Sequence, residues 1–166
     1  MKSVLVAIFI FFAALTAKAQ YPLSEGNAEL NLGVGFSGWG IPIYGGLDYA
    51  VDKDITIGAE VTYRSWNEGW HGHDYSHSIT GICGNFNYHF GKALKIKPKW
   101  DLYGGVNIGF FIWSSPSDYE GDHTSGLGLG AQIGVRYALS RVVGLNLEFG
   151  GGNAFSGGKF GLTIKL

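Results

Sequence analysis

Apolar and polar residues alternate with a period of two along nearly the whole chain after residue 20. This period is typical of a β-strand with one apolar and one polar face. Eight such segments can be followed, each of about nine to thirteen residues, which is the length a tilted strand needs to cross a bilayer. Their apolar faces start at Ala28, Ile41, Ile55, Ile82, Trp100, Leu127, Val143 and Phe160.

The connections between the segments differ in length. Two are tight, and the other predicted connections are longer or less regular. The tight turns are Asp52–Asp54 and Ser140–Arg141; the longer polar loops are Asn67–Ser76, Ser114–His123 and Gly151–Gly158, with a short loop near Gly38 and a basic turn from Gly91 to Pro98. An even number of antiparallel strands places both chain ends on one side. The pattern predicts an all-β fold, an eight-stranded antiparallel up-and-down barrel.

Alternation alone also fits a soluble, secreted ligand-binding barrel with an apolar lumen. Two features favour a transmembrane barrel. The polar faces are crowded with glycine, which suits the cramped lumen of eight strands. Aromatic residues form two bands on the apolar face, with aliphatic residues between them, as in a barrel surrounded by lipid. One band comprises Tyr49, Tyr88, Phe90, Trp100 and Tyr137, and the other Phe36, Tyr63, Phe110, Phe149 and Phe160.

The first nineteen residues have the pattern of a secretory signal peptide. Lys2 provides a positive start, Val4–Leu15 is an uninterrupted apolar run, and Ala17-Lys18-Ala19 offers a cleavage site. Twelve apolar residues are too few for a spanning helix, which needs about 20. We therefore expect residues 1–19 to be removed and residues 20–166 to form the barrel domain of an exported protein.

Composition narrows the function classes. The chain has 166 residues, which is the size of one domain, with 12 basic and 13 acidic residues. A chain without basic excess lacks the charge that nucleic-acid binding requires. Its single cysteine, Cys83, excludes an internal disulfide and a cysteine-built zinc site. By parity Cys83 is predicted to face the lumen.

With eight alternating segments and two aromatic bands, residues 20–166 resemble the small eight-stranded bacterial outer-membrane barrels, the group of the OmpA barrel domain and the OmpX-like proteins. The closing segment Phe160–Leu166 resembles the C-terminal signal read by the barrel-assembly machinery, although that signal usually ends in an aromatic residue and here ends in Leu166. The resemblance implies a Gram-negative outer membrane, with lipid and lipopolysaccharide as surroundings. It also implies a group whose members range from structural anchors to adhesins and lipid enzymes.

Charged residues on the predicted polar faces nearly balance. Charges held away from water must pair or change protonation, so we interpret them as an internal ion-pair network. An ion path or proton relay is the alternative, but eight strands leave little open lumen. The network comprises Glu29, Asp48, Glu60, Arg64, Asp101, Arg136, Glu148, Lys159 and Lys165.

The densest polar cluster is the segment 70–77. Its His71, His73, Asp74 and His77 offer imidazole and carboxylate groups, which are zinc and copper ligands. The spacing matches no known ligand set, so solvated side chains are the simpler interpretation. We expect no metal and no cofactor, and the metal site remains the alternative.

His123 and Ser125 are two residues apart and share the apolar face with Leu127. This His-x-Ser arrangement resembles that of outer-membrane lipid A deacylases, whose site faces lipid. The asparagine that usually follows the serine is Gly126 here. Glu148 is predicted to face the lumen, so no obvious carboxylate joins His123 and Ser125 on the apolar face. A nucleophile needs both a base and an orienting group.

The sequence therefore predicts a non-catalytic outer-membrane barrel with a filled polar lumen, acting as a structural or surface-interaction protein. An extracellular partner would be met through loops 67–76 and 114–123. The alternatives are a deacylase-like lipid A hydrolase using His123 and Ser125, and a soluble secreted ligand-binding barrel.

Overall fold

The computed structural model describes residues 23–38, 40–70, 73–116, 125–152 and 156–166, and side chains at 68, 70, 73 and 74 are left out of the description. Eight antiparallel strands close into one barrel in sequence order, with β1 also paired to β8. No helix in the described residues is long and apolar enough to span a membrane. The strands are β1 (Ala28–Ser37), β2 (Ile43–Asp52), β3 (Ile55–Trp70), β4 (His73–His89), β5 (Trp100–Ser114), β6 (Gly126–Ala138), β7 (Val143–Gly152) and β8 (Gly157–Lys165).

The two ends of the barrel differ. One end, which we call the terminal end, carries residues 24–27, residue 166 and the turns 53–54, 90–99 and 139–142. The opposite end, the loop end, is where β1 leads to β2, β3 to β4, β5 to β6 and β7 to β8. This arrangement follows from the even strand number and confirms the predicted fold class.

Apolar side chains lie on the outside of the barrel and polar side chains inside. On β5, Val106 and Ile108 are 57% and 56% exposed, whereas Asp101 and Tyr103 are 0% and 2% exposed. An exterior band of exposed aliphatic residues is favourable only against lipid. The soluble-barrel alternative is therefore wrong, because such a barrel would bury its apolar face and expose its polar face.

Aromatic contacts occur at both margins of this band. At the terminal end the ring centroids of Trp100 and Tyr137 are 4.6 Å apart, in tilted geometry. At the loop end Phe36 and Phe149 make an edge-to-face contact at 5.9 Å. Gly158 lies between these two rings in the register of β1, β8 and β7. A methyl group at Gly158 would overlap the Phe36 ring, so glycine allows this ring to lie flat on the sheet.

Strand length departs from the sequence expectation. β3, β4 and β5 have 16, 17 and 15 residues, longer than the predicted maximum of thirteen. The predicted loop Asn67–Ser76 is mostly a paired hairpin, since Asn67 pairs with Ser76 and Trp70 with His73. The sequence Asn67–Ser76 shows no period-two apolar alternation, so its pattern is typical of a loop.

Candidate functional site: the lumen

The lumen holds the densest set of charged side chains, and one part of it is built around Arg136. This residue projects inward from β6 and is 2% exposed. Its Nη1 contacts Glu29 Oε1 from β1, and its Nη2 donates to Asp48 Oδ2 from β2 at 2.7 Å. Asp101 Oδ2 from β5 lies 3.9 Å from Nη1. We call Arg136, Glu29, Asp48 and Asp101 the arginine cluster.

Two rings enclose the arginine cluster. His89 Nδ1 lies 2.8 Å from Asp101 Oδ2, and its Nε2 lies 3.0 Å from Thr56 Oγ1, which fixes the imidazole between β3 and β5. The Tyr103 ring lies under the guanidinium, with Arg136 Cζ 4.5 Å from the ring centroid. This cation–π contact is strong in a site without water. His89 and Tyr103 are 1% and 2% exposed, so the cluster closes the lumen near the terminal end.

A second set of charges is centred on Lys159 of β8. Its Nζ donates to both carboxylate oxygens of Glu60 at 2.8 Å and lies 2.7 Å from Glu148 Oε1. The side chains are only 11–13% exposed. The Tyr103 hydroxyl donates to Glu148 Oε2 at 2.9 Å. We call Lys159, Glu60 and Glu148 the lysine cluster, and Tyr103 links it to the arginine cluster.

Neutral polar side chains fill the space beside the charges. The Tyr44 hydroxyl donates to Asn146 Oδ1 at 2.7 Å, and Thr163 Oγ1 donates to Asn31 Oδ1 at 2.7 Å. Asn31 Nδ2 in turn donates to Asp48 Oδ2 at 3.0 Å, which joins this layer to the arginine cluster. Connected and satisfied networks of this kind rigidify a polar interior.

Two charged residues of the predicted network lie outside both clusters. Arg64 faces inward at the loop end, is 5% exposed and donates to Ser37 Oγ at 3.3 Å. Lys165 lies opposite Glu29 in the β1–β8 register, close to the terminal end. All nine residues lie on the lumen side of their strands, and seven of them form two clusters that Tyr103 connects.

A small cavity of about 30 Å³ lies on the loop side of the lysine cluster. It is bounded by Glu60, Lys159, Cys83, Asn107 and Phe111, among others. A second space of about 20 Å³ lies between the lysine and arginine clusters. Cys83 therefore faces the lumen. The arrangement can hold water and small polar groups, but the buried arginine cluster closes it toward the terminal end.

The histidine-rich segment is only partly described. His71 lies outside the described residues, as do the side chains of His73 and Asp74. His77 is fully buried, its Nδ1 lies 2.9 Å from Ser115 Oγ, and its ring stacks on Trp66 at 5.4 Å. Within the described residues no group of three or more ligating side chains is arranged to hold a metal ion.

His123 also lies outside the described residues. Its neighbour Ser125 is exposed, just before β6, and its Oγ accepts a hydrogen bond from the backbone N–H of Trp113 at 3.0 Å. This bond gives the hydroxyl a role in tying β5 to the start of β6.

Sequence reasoning singled out the charges but missed four neutral or aromatic partners: Tyr44, His89, Tyr103 and Asn146. All four stand at positions that the period-two alternation assigns to the lumen, so the sequence did contain a signal for them. Tyr103 had a further signal, because Gly134 lies opposite it in the β5–β6 register. A methyl group at Gly134 would overlap the phenol ring, so this glycine makes room for a large lumen side chain.

Comparison with known proteins shows that the chain is similar to solved structures in its fold. No protein-family model matches the chain, and no curated protein matches it in sequence. Among solved structures, the outer membrane protein OprG from Pseudomonas aeruginosa is 10% identical with a TM-score of 0.65, over 86% of this chain and 97% of that chain. Neisserial surface protein A is 16% identical with a TM-score of 0.55, over 84% and 94%. A de novo designed transmembrane β-barrel is 18% identical with a TM-score of 0.54, over 88% and 100%.

The closed barrel, the exposed aliphatic band and the polar, charge-paired lumen define the class: a transmembrane β-barrel of the outer-membrane type. Within that class the chain has the fold of the small eight-stranded barrels, as the resemblance to the OmpA barrel domain and OmpX-like group implied.

Proposed function

We propose that the protein is a non-catalytic outer-membrane barrel that acts at the cell surface through its loop end. The observation that carries this proposal is the contrast between the filled lumen and the hairpin that projects at the loop end. The lumen is occupied by buried ion pairs and aromatic rings, whereas β3 and β4 continue well past the loop-end aromatic band.

The projecting hairpin supports a surface role. From Tyr63 to Trp70, β3 extends seven residues beyond the aromatic band, which is about 20 Å at the rise of a strand. Its inward side carries Trp66, which stacks on His77 and meets Trp113 of β5 edge-to-face at 5.6 Å. These contacts between Trp66, His77 and Trp113 hold the base of the projecting hairpin against β5.

The lumen supports the absence of transport. A diffusion channel needs an open polar path, and here Arg136, Asp101 and Tyr103 close the section near the terminal end with exposures of 0–2%. Each is held by partners from other strands. Opening a path would require breaking buried ion pairs, which costs about 3–5 kcal/mol for each lost partner.

Complementation of a deletion strain tests this proposal. One variant replaces residues 67–76 with an Asn-Gly hairpin turn, and a second keeps the hairpin but carries Ile108→Leu as a matched barrel control. We expect both to fold, as shown by heat-modifiable migration in gels. The hairpin variant should lose attachment of whole cells to surfaces, while resistance to detergent is retained.

Two results would contradict the proposal. If the hairpin variant restores every phenotype, the surface role is wrong and a purely structural role remains. If lipid A from cells with and without the protein differs by an acyl chain, and Ser125→Ala abolishes that difference, the protein is a hydrolase.

A further inference from the structure

The exterior charges of the barrel are segregated by end. Apart from the predicted signal peptide and the four lumen bases, every lysine and arginine lies in a terminal-end turn. We call these residues the basic rim: Lys53, Lys92, Lys95, Lys97, Lys99 and Arg141, all exposed. Three acids, Glu25, Asp52 and Asp54, share that end. The sequence between β5 and β6, in contrast, has Asp118, Glu120 and Asp122 and no base.

Most of the basic rim belongs to one ordered turn, residues 90–99, between β4 and β5. Leu94 N–H donates to Phe90 O at 2.9 Å, and Trp100 N–H donates to Lys97 O at 2.9 Å. Ala138 N–H from β6 donates to Lys99 O at 2.8 Å, which fixes the end of the turn to the next strand pair. The four lysines of this turn therefore project from a defined backbone.

The conformation of Lys95 is a second, independent observation. Its φ is +52°, and it is the one non-glycine residue with positive φ in the described chain. Ile96 N–H donates to Gly91 O at 2.9 Å and Lys95 N–H to Lys92 O at 3.2 Å, which is the Schellman pattern. Glycine is strongly favoured at this position, because any side chain there is strained. The chain therefore has a lysine at a position where backbone stability alone favours glycine.

The surroundings of the turn indicate the partner. Leu94, within the turn, is 58% exposed. Trp100 directly follows the turn, and together with Tyr137 it belongs to the terminal-end aromatic band. Aromatic bands lie at the level of lipid headgroups, and lysine side chains next to them reach the phosphates. An exposed leucine in a turn that leads directly into this band can enter the acyl boundary of the lipid.

We propose that the basic rim is a binding site for anionic glycerophospholipid headgroups, with Lys95, Lys97 and Lys99 as its centre. The lysines supply phosphate contacts, and Leu94 anchors the turn in the acyl boundary. The barrel thereby gathers anionic phospholipid around its terminal end. This goes beyond the surface role proposed above and is independent of it.

Site-directed fluorescence quenching tests the proposal in full-length barrel reconstituted into vesicles of phosphatidylcholine with phosphatidylglycerol. In a Cys83→Ser background, Leu94→Cys carries an environment-sensitive dye, and either lipid species carries bromine on its acyl chains. Quenching at position 94 should favour brominated phosphatidylglycerol at least about fivefold over brominated phosphatidylcholine, as expected for even one effective lysine. The preference should weaken in about 1 M salt, where the screening length is about 3 Å.

Matched variants separate charge from folding. The triple variant Lys95→Gln, Lys97→Gln, Lys99→Gln should quench equally with both lipids. Lys95→Asn tolerates positive φ and removes one charge, so the preference should fall about fivefold while thermal stability in pure phosphatidylcholine is kept or raised. Lys95→Arg should keep the preference. A dye at Leu127→Cys, exposed at the loop end, should report no preference.

Three outcomes would overturn the proposal. The first is equal quenching by both lipids in the wild-type rim. The second is a phosphatidylglycerol preference that survives the triple variant. The third is lysine-dependent sedimentation with purified peptidoglycan but no lipid preference, which would make the basic rim a cell-wall contact.

Discussion

Replacing Arg136 with methionine should destabilise the barrel more than any other single loss of charge. Methionine keeps much of the side-chain volume but leaves Glu29, Asp48 and Asp101 without their shared guanidinium. The side chains of these carboxylates are 0%, 6% and 0% exposed, so water compensates little. Removing one partner of a buried pair costs about 3–5 kcal/mol, and three dependent acids place Arg136→Met at the upper end of that range.

Urea unfolding of the barrel in lipid vesicles, followed by heat-modifiable gel migration, measures this cost. With a slope of about 2 kcal/mol per molar urea, the midpoint should fall by about 2 M. The matched control is Lys92→Gln, which breaks the pair with Asp54 in which the side chains are 57% and 23% exposed. Exposed pairs contribute about 0–1 kcal/mol, so that midpoint should barely move.

A rescue experiment isolates the charge effect. Adding Glu29→Gln and Asp48→Asn to Arg136→Met removes two of the uncompensated charges and should recover much of the lost midpoint. If Arg136→Met unfolds at the same urea concentration as Lys92→Gln, the arginine cluster is not a stabilising element and the reasoning fails. If the triple variant is less stable than Arg136→Met, loss of shape, and not of charge balance, is the cause.

Three further predictions concern the exterior, the lumen packing and conductance. Ile108→Arg places a cation in the lipid-facing middle of β5 and should cost about 2–4 kcal/mol, measured by urea unfolding, with an unchanged midpoint contradicting the assignment of faces. Gly134→Ala forces the Tyr103 ring off Glu148 and Arg136 and should cost about 1–3 kcal/mol; wild-type stability there would show that the ring moves freely. Planar bilayers containing the protein should show no steady conductance, and reproducible large open channels would contradict the closed lumen.

Parity carried most of the information about the fold. Asp101 and Arg136 were assigned to the lumen from alternation alone, and the barrel follows from eight such segments. The contact of Arg136 with Glu29 could not be read from the sequence, because it depends on strand stagger around the whole barrel.

The β3–β4 extension was missed for a different reason. Hydrophobic alternation reports the lipid-facing side of a strand, and past Tyr63 the outward side of β3 carries the exposed polar residues Ser65 and Asn67. Its pairing is maintained by backbone hydrogen bonds and by ring contacts such as Trp66 on His77, which leave no periodic signal. The same limit applies to the basic rim, where composition was visible but the left-handed Lys95 was not.

Closure of the barrel through β1 and β8 has a kinetic consequence. Glu29 and Lys165, paired in the register, are about 136 positions apart in the sequence. Until the last strand arrives, β1 has an open edge, and open edges are templates for aggregation. The arginine cluster draws on β1, β2, β5 and β6, so its charges lose water only as the ring shuts. Barrel closure is therefore a late, cooperative step that depends on long-range contacts. A chain that lacks β8 cannot pair the open edge of β1.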